Sequence, residues 1–339
     1  MKAMILTRTG PAVDNPLRMR EVPVPMPADG QILVKVLACG VCHTELDEIE
    51  GRLSCKLPVI PGHQIVGTVE GGSTGRFAAG ERVGIGWINS ACGRCGFCQR
   101  GNENLCTQFK STGCDADGGY AQYTVVDESC AYPIPERFED AQAAVLLCAG
   151  AIGYRALRMT GFSDGQRLGL FGFGASAHIL LQLVKHRYPK SQVFVFTRSG
   201  QKDHQQLAAS LGADRVAATA EAGGDKLDCA IDFTPAWKPV VAAMRALERG
   251  GILVINAIRK EDTDKNALLE LDYCSDLWLE KSLKSVANVT RADIQQFLPL
   301  AAEVPIKPTV TTFNLERAND ALKMLKAGKM RGAAALTLC

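Results

Sequence analysis

No apolar run in this chain approaches the roughly 20 residues of a helical membrane span; the longest are of the order of Gly251–Ile258. No excess of either charge exists, since 38 basic side chains face 36 acidic ones for a net +2. That balance excludes the electrostatic footprint of a nucleic-acid or membrane-surface partner. No secretory apolar region or small-residue cleavage site follows Met1, because Met1–Gly10 runs straight into Arg8 and Gly10; a cytoplasmic protein is the expectation. None of the five histidines stands in an H-E-x-x-H arrangement, which removes the usual signature of a zinc hydrolase. Internal repeats and low-complexity tracts are also missing.

What is present is the content of an ordinary two-domain globular chain: 339 residues, 47% apolar and 22% charged. Thirteen cysteines are many for such a chain. The odd count, the chain's size and the lack of an export signal favour metal ligation over a disulfide framework. Four of them, Cys92, Cys95, Cys98 and Cys106, form a C-x2-C-x2-C-x7-C loop interspersed with Gly93, Gly96 and Gly101. Four thiolates at this spacing suit a closed tetrahedral zinc site, which staples a loop and leaves no position for chemistry.

Up to residue 148 the chain is rich in glycine, proline and short apolar runs. Ile32–Leu37, Ile65–Val69 and Tyr120–Val126 are expected strands of a mostly β domain. From 149 to 288 strands and helices alternate. Leu168–Phe171, Val193–Phe196, Cys229–Phe233, Ile252–Ile255 and Leu283–Ala287 are expected strands, separated by helices such as Ala175–His186, His204–Leu211 and Pro239–Leu247. This alternation implies an α/β domain with a doubly wound parallel sheet. Residues 289–339 return to helical patterns, with Ile294, Phe297, Leu298 and Ala301 on one face and a last helix near Leu315–Leu325.

The segment Gly172-Phe-Gly174-Ala175-Ser176-Ala177 follows the strand ending at Phe171 and opens a helix. It matches the dinucleotide fingerprint in the context that gives it meaning: glycines for the turn and the pyrophosphate, a small third residue for packing. The next strand ends Thr197-Arg198-Ser199, with no acid to receive a ribose hydroxyl. Arg198 pairs with a 2′-phosphate that an acid would repel, so NADP(H) is expected over NAD(H), with NAD(H) possible. Cys42, His63 and Cys148 are two thiols and an imidazole far apart in sequence. Spacing alone favours reading each of them as a buried small residue or a loop histidine over a metal ligand.

The chain resembles the zinc-dependent alcohol dehydrogenases of the medium-chain dehydrogenase/reductase superfamily. The resemblance runs through GVCHTEL at 40–46, PGHQIVG at 61–67, GERVGIGW at 80–87, the four-cysteine loop, DGGYAQY at 117–123, LLCAG at 146–150 and GFGASA at 172–177. It implies a GroES-like catalytic domain beside a Rossmann domain, two zinc ions per chain, and reversible oxidation of a small alcohol by hydride transfer to nicotinamide. It implies Cys42, His63 and Cys148 as ligands of the catalytic zinc and Thr44 as acceptor of the substrate proton. His43 falls where a basic side chain meets the pyrophosphate, and Trp87 and Leu53 fall on the substrate wall. A homodimer or homotetramer is the family's habit, and a zinc-free or inactive relative is the alternative.

Departures from the family pattern accompany this. Gln64 replaces a carboxylate that often follows the zinc histidine, so no anion is expected behind the metal's ligands and a more electrophilic zinc should result. Asp47 stands where a histidine often ends the proton relay, leaving Asp47, Glu48 or water for that step. Ile152 replaces a threonine, and Arg331 lies two residues before the position of the family's C-terminal arginine. Cys148, where polyol dehydrogenases often carry a carboxylate, favours simple alcohols and aldehydes. Cys39, though in C-x2-C with Cys42, is expected to pack inward.

Overall fold

The computed structural model describes residues 1–224 and 226–338; Cys339, one of the cysteines outside the ligand sets, lies outside the described residues. The chain divides into two compact units. One comprises Met1–Ala151, Val289–Ala302 and the chain from Lys307 onward; the other comprises Ile152–Asn288 and Glu303–Ile306.

The first unit is built on a seven-stranded sheet. Its strands run Val310–Asn314, Ala333–Thr337, Gln31–Val41, Ile65–Gly71, Arg82–Ile85 and Ala131–Pro133, with Tyr123–Asp127 also pairing Gln31–Val41. Only the first pair is parallel. Alternation of β-branched residues turns Ile32, Val34 and Val36 inward with Ile65, Val69, Val83 and Ile85, all nearly or fully buried. Cys39 is fully buried in this core although it is out of phase with Ile32, Val34 and Val36, because the ladder to Ile65–Gly71 shifts register between Val36 and Ala38.

The second unit is a six-stranded parallel sheet in the order Arg215–Ala218, Gln192–Thr197, Arg167–Phe171, Leu227–Asp232, Leu247–Ile255, Ser282–Ser285. Numbered within the unit that order is 3-2-1-4-5-6, the doubly wound arrangement of dinucleotide-binding sheets. Strands covered on both faces need continuous apolar runs; Phe171 and Phe196 stack at 4.7 Å between the paired strands Arg167–Phe171 and Gln192–Thr197.

Three local differences from the sequence expectations have physical reasons. The strand expected from Tyr120 begins at Tyr123, because Tyr120 N donates to Pro61 O (2.9 Å) and Tyr120 O accepts from Met4 N, outside the ladder. The last helix splits into a 3₁₀ turn Leu315–Arg317 and an α-helix Ala318–Lys326. The helical run Asp140–Thr160 is, by length and composition, apolar enough to cross a bilayer, contrary to the reading of the apolar stretches. Its arginines interrupt any simple run, and 72% of the apolar window is buried within the protein, as for a core helix.

His178 lies in the helix Ala175–Arg187, fully buried, with Nδ1 3.2 Å from Gly174 O. Burial pushes its pKa down from 6.5 to about 4, against hydrogen bonding at Gly174 and Ala175. Between those two pH values the unfolded chain binds a proton that the folded chain refuses. Stability present above pH 6.5 is therefore lost as pH falls toward 4, by about 3 kcal/mol from this group. Urea unfolding at pH 7 and pH 4.5 should show a smaller acid loss for His178→Gln than for the unaltered chain.

Candidate metal centres and the dinucleotide turn

Cys42 caps the helix His43–Ile49 with extended backbone, its Sγ accepting from Thr44 N at 3.3 Å. Cys42 N donates to Glu45 Oε2 at 2.9 Å, which completes a capping box three residues into the helix. His63 follows Gly62, whose φ of +101° suits glycine and whose added Cβ would lie 2.5 Å from the Tyr120 ring. Cys148 sits in a π turn, Leu146–Gly150, within the long helical run. Such turns bulge one residue outward and recur at functional sites.

These three segments bring together the residues that sequence separates. One ligand atom each from Cys42, His63 and Cys148 lies within 4.8 Å of the others, and Cys42 Sγ is 3.9 Å from His63 Nε2. The donor set passes a chemical test for a divalent metal. The hydrogen bond with Cys148, then burial, then Glu45 raise the Cys42 pKa well above the ordinary thiol value. Two adjacent sulfurs resist carrying two negative charges, and a borderline-soft cation removes that conflict by binding both as thiolates.

The side chain that sequence reasoning missed is Glu45. Its Oε1 lies 2.6 Å from His63 Nδ1 and 3.3 Å from His63 N, and it is fully buried. This corrects the expectation drawn from Gln64: an anion does stand behind the imidazole, supplied by the helix and not by the residue after His63. Burial opposes charge on His63, but the Glu45 carboxylate outweighs it and raises the imidazole well above 6.5, while the His63 charge lowers Glu45 despite its own burial. The C-x-x-E spacing at 42–45 was the available signal.

Around this trio, Thr44 is buried and His43 is exposed on the first turn of the same helix. Trp87 packs edge-on to His63, ring centroids 5.1 Å apart and planes at 85°. Leu53 is half-buried in the following loop, its N–H donating to Asp47 O at 3.1 Å. Asp47 is tied to Arg52 at 2.5 Å.

The four-sulfur loop is compact: Cys92–Cys98, Cys95–Cys98 and Cys92–Cys106 separations are 3.9, 3.6 and 3.5 Å. A tetrahedron with zinc–sulfur bonds of 2.3 Å has edges of about 3.8 Å, so the loop fits that ion. N–H groups of Arg94 and Cys95 draw the Cys92 thiol down to about 6, while burial pushes Cys98 up to about 12.

Two further cysteines depart from the expectation of metal ligation. Cys55 and Cys114 form a disulfide. Separation of 59 residues and unremarkable local spacing hid the pair, which only the chain's path through the first unit brings together.

In the second unit Gly172 has φ +85°, and a Cβ there would lie 2.8 Å from Thr234 Cγ2. Gly174 caps the helix Ala175–Arg187, Ala177 is fully buried, and Ala175 and Ser176 stay partly exposed at the helix start. Arg198 and Ser199 are exposed beyond the second strand. Thr197 turns its hydroxyl inward, accepting from Gln205 Nε2 at 3.0 Å.

A catalytic unit with two convergent cysteine-rich ligand sets, followed by a doubly wound sheet with a glycine turn, is the architecture of medium-chain dehydrogenases. The alcohol dehydrogenase GroES-like domain family matches residues 28–136. A probable alcohol dehydrogenase, AdhA, of Mycobacterium tuberculosis is 42% identical over all of this chain and 97% of its own length. An alcohol dehydrogenase of Geobacillus stearothermophilus is 34% identical over 95% of this chain and 96% of its own. Among solved structures, a cinnamyl alcohol dehydrogenase of Sorghum bicolor superposes with a TM-score of 0.84 at 25% identity, covering 99% of this chain and 97% of that one. The chain belongs to the zinc-dependent alcohol dehydrogenase family of the medium-chain superfamily; it is an alcohol dehydrogenase acting on small molecules.

Glu45→Gln keeps the shape but removes the anionic acceptor behind His63. Affinity for zinc at Cys42, His63 and Cys148 should fall about 10–100-fold. Competition with a chromogenic chelator measures it, and the four-sulfur loop should hold its ion unchanged.

Proposed function

We propose that this chain is a two-zinc enzyme that interconverts simple alcohols and their aldehydes or ketones with NADP(H) as the preferred partner. The single observation that carries the reading is the convergence of Cys42, His63 and Cys148, two sulfurs and an imidazole with no fourth protein ligand among the described residues. Three protein ligands with a free position is the pattern of catalytic zinc, and four sulfurs that of structural zinc. When bound, zinc supplies the Lewis acidity that lowers an alcohol's pKa, and the nicotinamide supplies the hydride acceptor.

The chain's own residues do the remainder. Thr44, in the first turn of a helix capped by Cys42, takes the hydroxyl proton and hands it outward. Glu45 fixes the ring orientation of His63 through Nδ1, leaving Nε2 for the metal. Trp87 covers the His63 edge and, with Leu53, walls the substrate away from water. Gly172 and Gly174 admit a pyrophosphate to the start of Ala175–Arg187, where backbone N–H groups and the helix dipole favour an anion. Arg198, exposed with Ser199 at the end of the second strand, supports recognition of a 2′-phosphate by a planar fork. Exposed Tyr273, Trp278 and Leu283 around the edge strand Ser282–Ser285 support assembly of identical subunits.

Metal analysis should return two zinc ions per chain, falling to one in Cys42→Ser, with turnover abolished and the fold retained by circular dichroism. Retained turnover would refute the assigned role of the trio. Thr44→Val should lower kcat far more than it weakens cofactor binding. NADPH should exceed NADH in kcat/KM, and Arg198→Ala should cut that preference about 10–100-fold, the range of a charged hydrogen-bonded contact. A preference for NADH in the unaltered enzyme overturns the cofactor assignment.

A further inference from the structure

Cys55 and Cys114 belong to neither ligand set, and beside them stands a group with no evident structural purpose. Glu48 is fully buried, and neither carboxyl oxygen has a hydrogen-bond partner among the described residues. One of its oxygens lies within 4.8 Å of both sulfurs. Leaving a carboxyl buried without a partner costs several kcal/mol or keeps the group protonated. Burial first, and the nearby Glu45 next, raise its pKa well above the usual carboxylate range, which favours the protonated acid.

The disulfide joins two segments of the catalytic unit. On one side the loop 51–55 hangs from the end of the helix His43–Ile49, with Gly51 N donating to Glu48 O (3.1 Å) and Arg52 N to Asp47 O (2.8 Å). That loop holds Leu53. On the other side the segment 114–119 braces the approach to His63: Asp117 Oδ1 accepts from Ile60 N at 2.9 Å, and Gly119 N donates to Gly62 O at 2.9 Å. Across the junction, apart from the sulfurs, Lys56 N donates to Cys114 O at 3.1 Å and Cys114 Sγ lies 3.6 Å from Ser54 O. Cys55 is partly exposed while Cys114 is buried, so a reagent from solvent meets Cys55 first.

We propose that Cys55–Cys114 is a thiol–disulfide exchange site for a dithiol, with Glu48 as its buried proton donor, and that its redox state sets how firmly the Leu53 loop walls the substrate. One thiolate of the dithiol attacks Cys55 Sγ; a mixed disulfide forms as the Cys55–Cys114 bond breaks. The electron pair leaves on Cys114 Sγ, which takes the Glu48 proton. The dithiol's second thiolate then attacks its own bound sulfur, closing a cyclic disulfide and releasing Cys55 as a thiolate protonated from water. Two electrons enter the protein, the dithiol is oxidised, and Glu48 regains its proton from solvent. The reverse sequence, with an oxidised dithiol, restores the crosslink.

The kinetic half of this proposal rests on the alcohol dehydrogenase reading; the thiol half does not. The zinc-loaded full chain is equilibrated in buffers of graded reduced-to-oxidised dithiothreitol, quenched in acid, alkylated and mapped by mass spectrometry. Zinc content and KM for an alcohol are measured on parallel samples. Cys55 and Cys114 should convert together and reversibly while zinc is retained. KM should rise several-fold on reduction and return on reoxidation, with kcat changing less. Cys55→Ser/Cys114→Ser should hold the reduced value in every buffer. Glu48→Gln should reach the same end points but exchange on the order of 10²-fold more slowly, the usual worth of a positioned acid. Failure of the pair to convert before zinc is lost overturns the exchange site, whatever the enzyme's activity. Conversion with an unchanged KM overturns the coupling, and an undiminished exchange rate in Glu48→Gln removes the proton donor.

Discussion

The arrangement of the catalytic unit hangs on one buried carboxylate. Glu45 receives the Cys42 N–H on one oxygen and the His63 ring and backbone nitrogens on the other. A carboxylate wholly removed from water carries a penalty of several kcal/mol unless its lone pairs are filled. Three donors and its place in the first turn of a helix, where the dipole favours negative charge, offset that penalty. The same bonds that make Glu45 tolerable fix the start of His43–Ile49 against the turn at Gly62. Cys42 and His63 are thereby held at one distance, 3.9 Å between Sγ and Nε2. Without this anion the imidazole would be free to rotate, and the helix would lose its cap together with its aim.

Cys148 reaches the same point by different means. A regular α-helix from Asp140 to Thr160 would carry its side chains around the axis at fixed intervals. The π turn at Leu146–Gly150 widens one turn and shifts the register there. All three proposed ligands therefore sit at breaks in regular backbone: a helix cap, a glycine turn and a bulged helical turn. Regular elements place residues at repeating angles that are poorly suited to convergence on one point, and breaks supply the needed adjustments while the flanking sheet and helices keep them rigid.

How much of this the sequence disclosed follows from the range of the interactions concerned. The four-sulfur loop was legible because its geometry is local: fifteen residues, four sulfurs and three glycines specify a tetrahedron without help from the rest of the fold. The parallel sheet was legible because βα alternation and the GFGASA turn are local too. The trio was not legible from spacing; motif resemblance singled it out, and only the folded chain brings its members within reach. Glu45 is hidden in the sequence despite its capping-box position, because Gln64 is the neighbour of His63 along the chain whereas Glu45 is its neighbour only in space. The short strand Arg215–Ala218 offers only four residues, two of them alanine, too little alternation to stand out. Thr197 was grouped with Arg198 and Ser199 by adjacency, but consecutive strand residues face opposite ways, and its hydroxyl belongs to the interior.

The cysteines show the same logic in their differing fates. In the quartet, backbone N–H groups from a glycine-rich loop aim at sulfur and favour thiolate, as at Cys92, so a cation is the natural partner. In the trio, a ring nitrogen oriented by Glu45 joins two sulfurs whose charges only a cation reconciles. At Cys55 and Cys114 neither circumstance holds. The nearby charged-type group is Glu48, whose burial favours a neutral acid, and a neutral acid beside two sulfurs stabilises neither an anionic ligand set nor a metal. Joining as a disulfide leaves both sulfurs uncharged, which that pocket accepts. Residue type alone therefore does not decide between metal and crosslink; the sign of the charge that the surroundings will bear does.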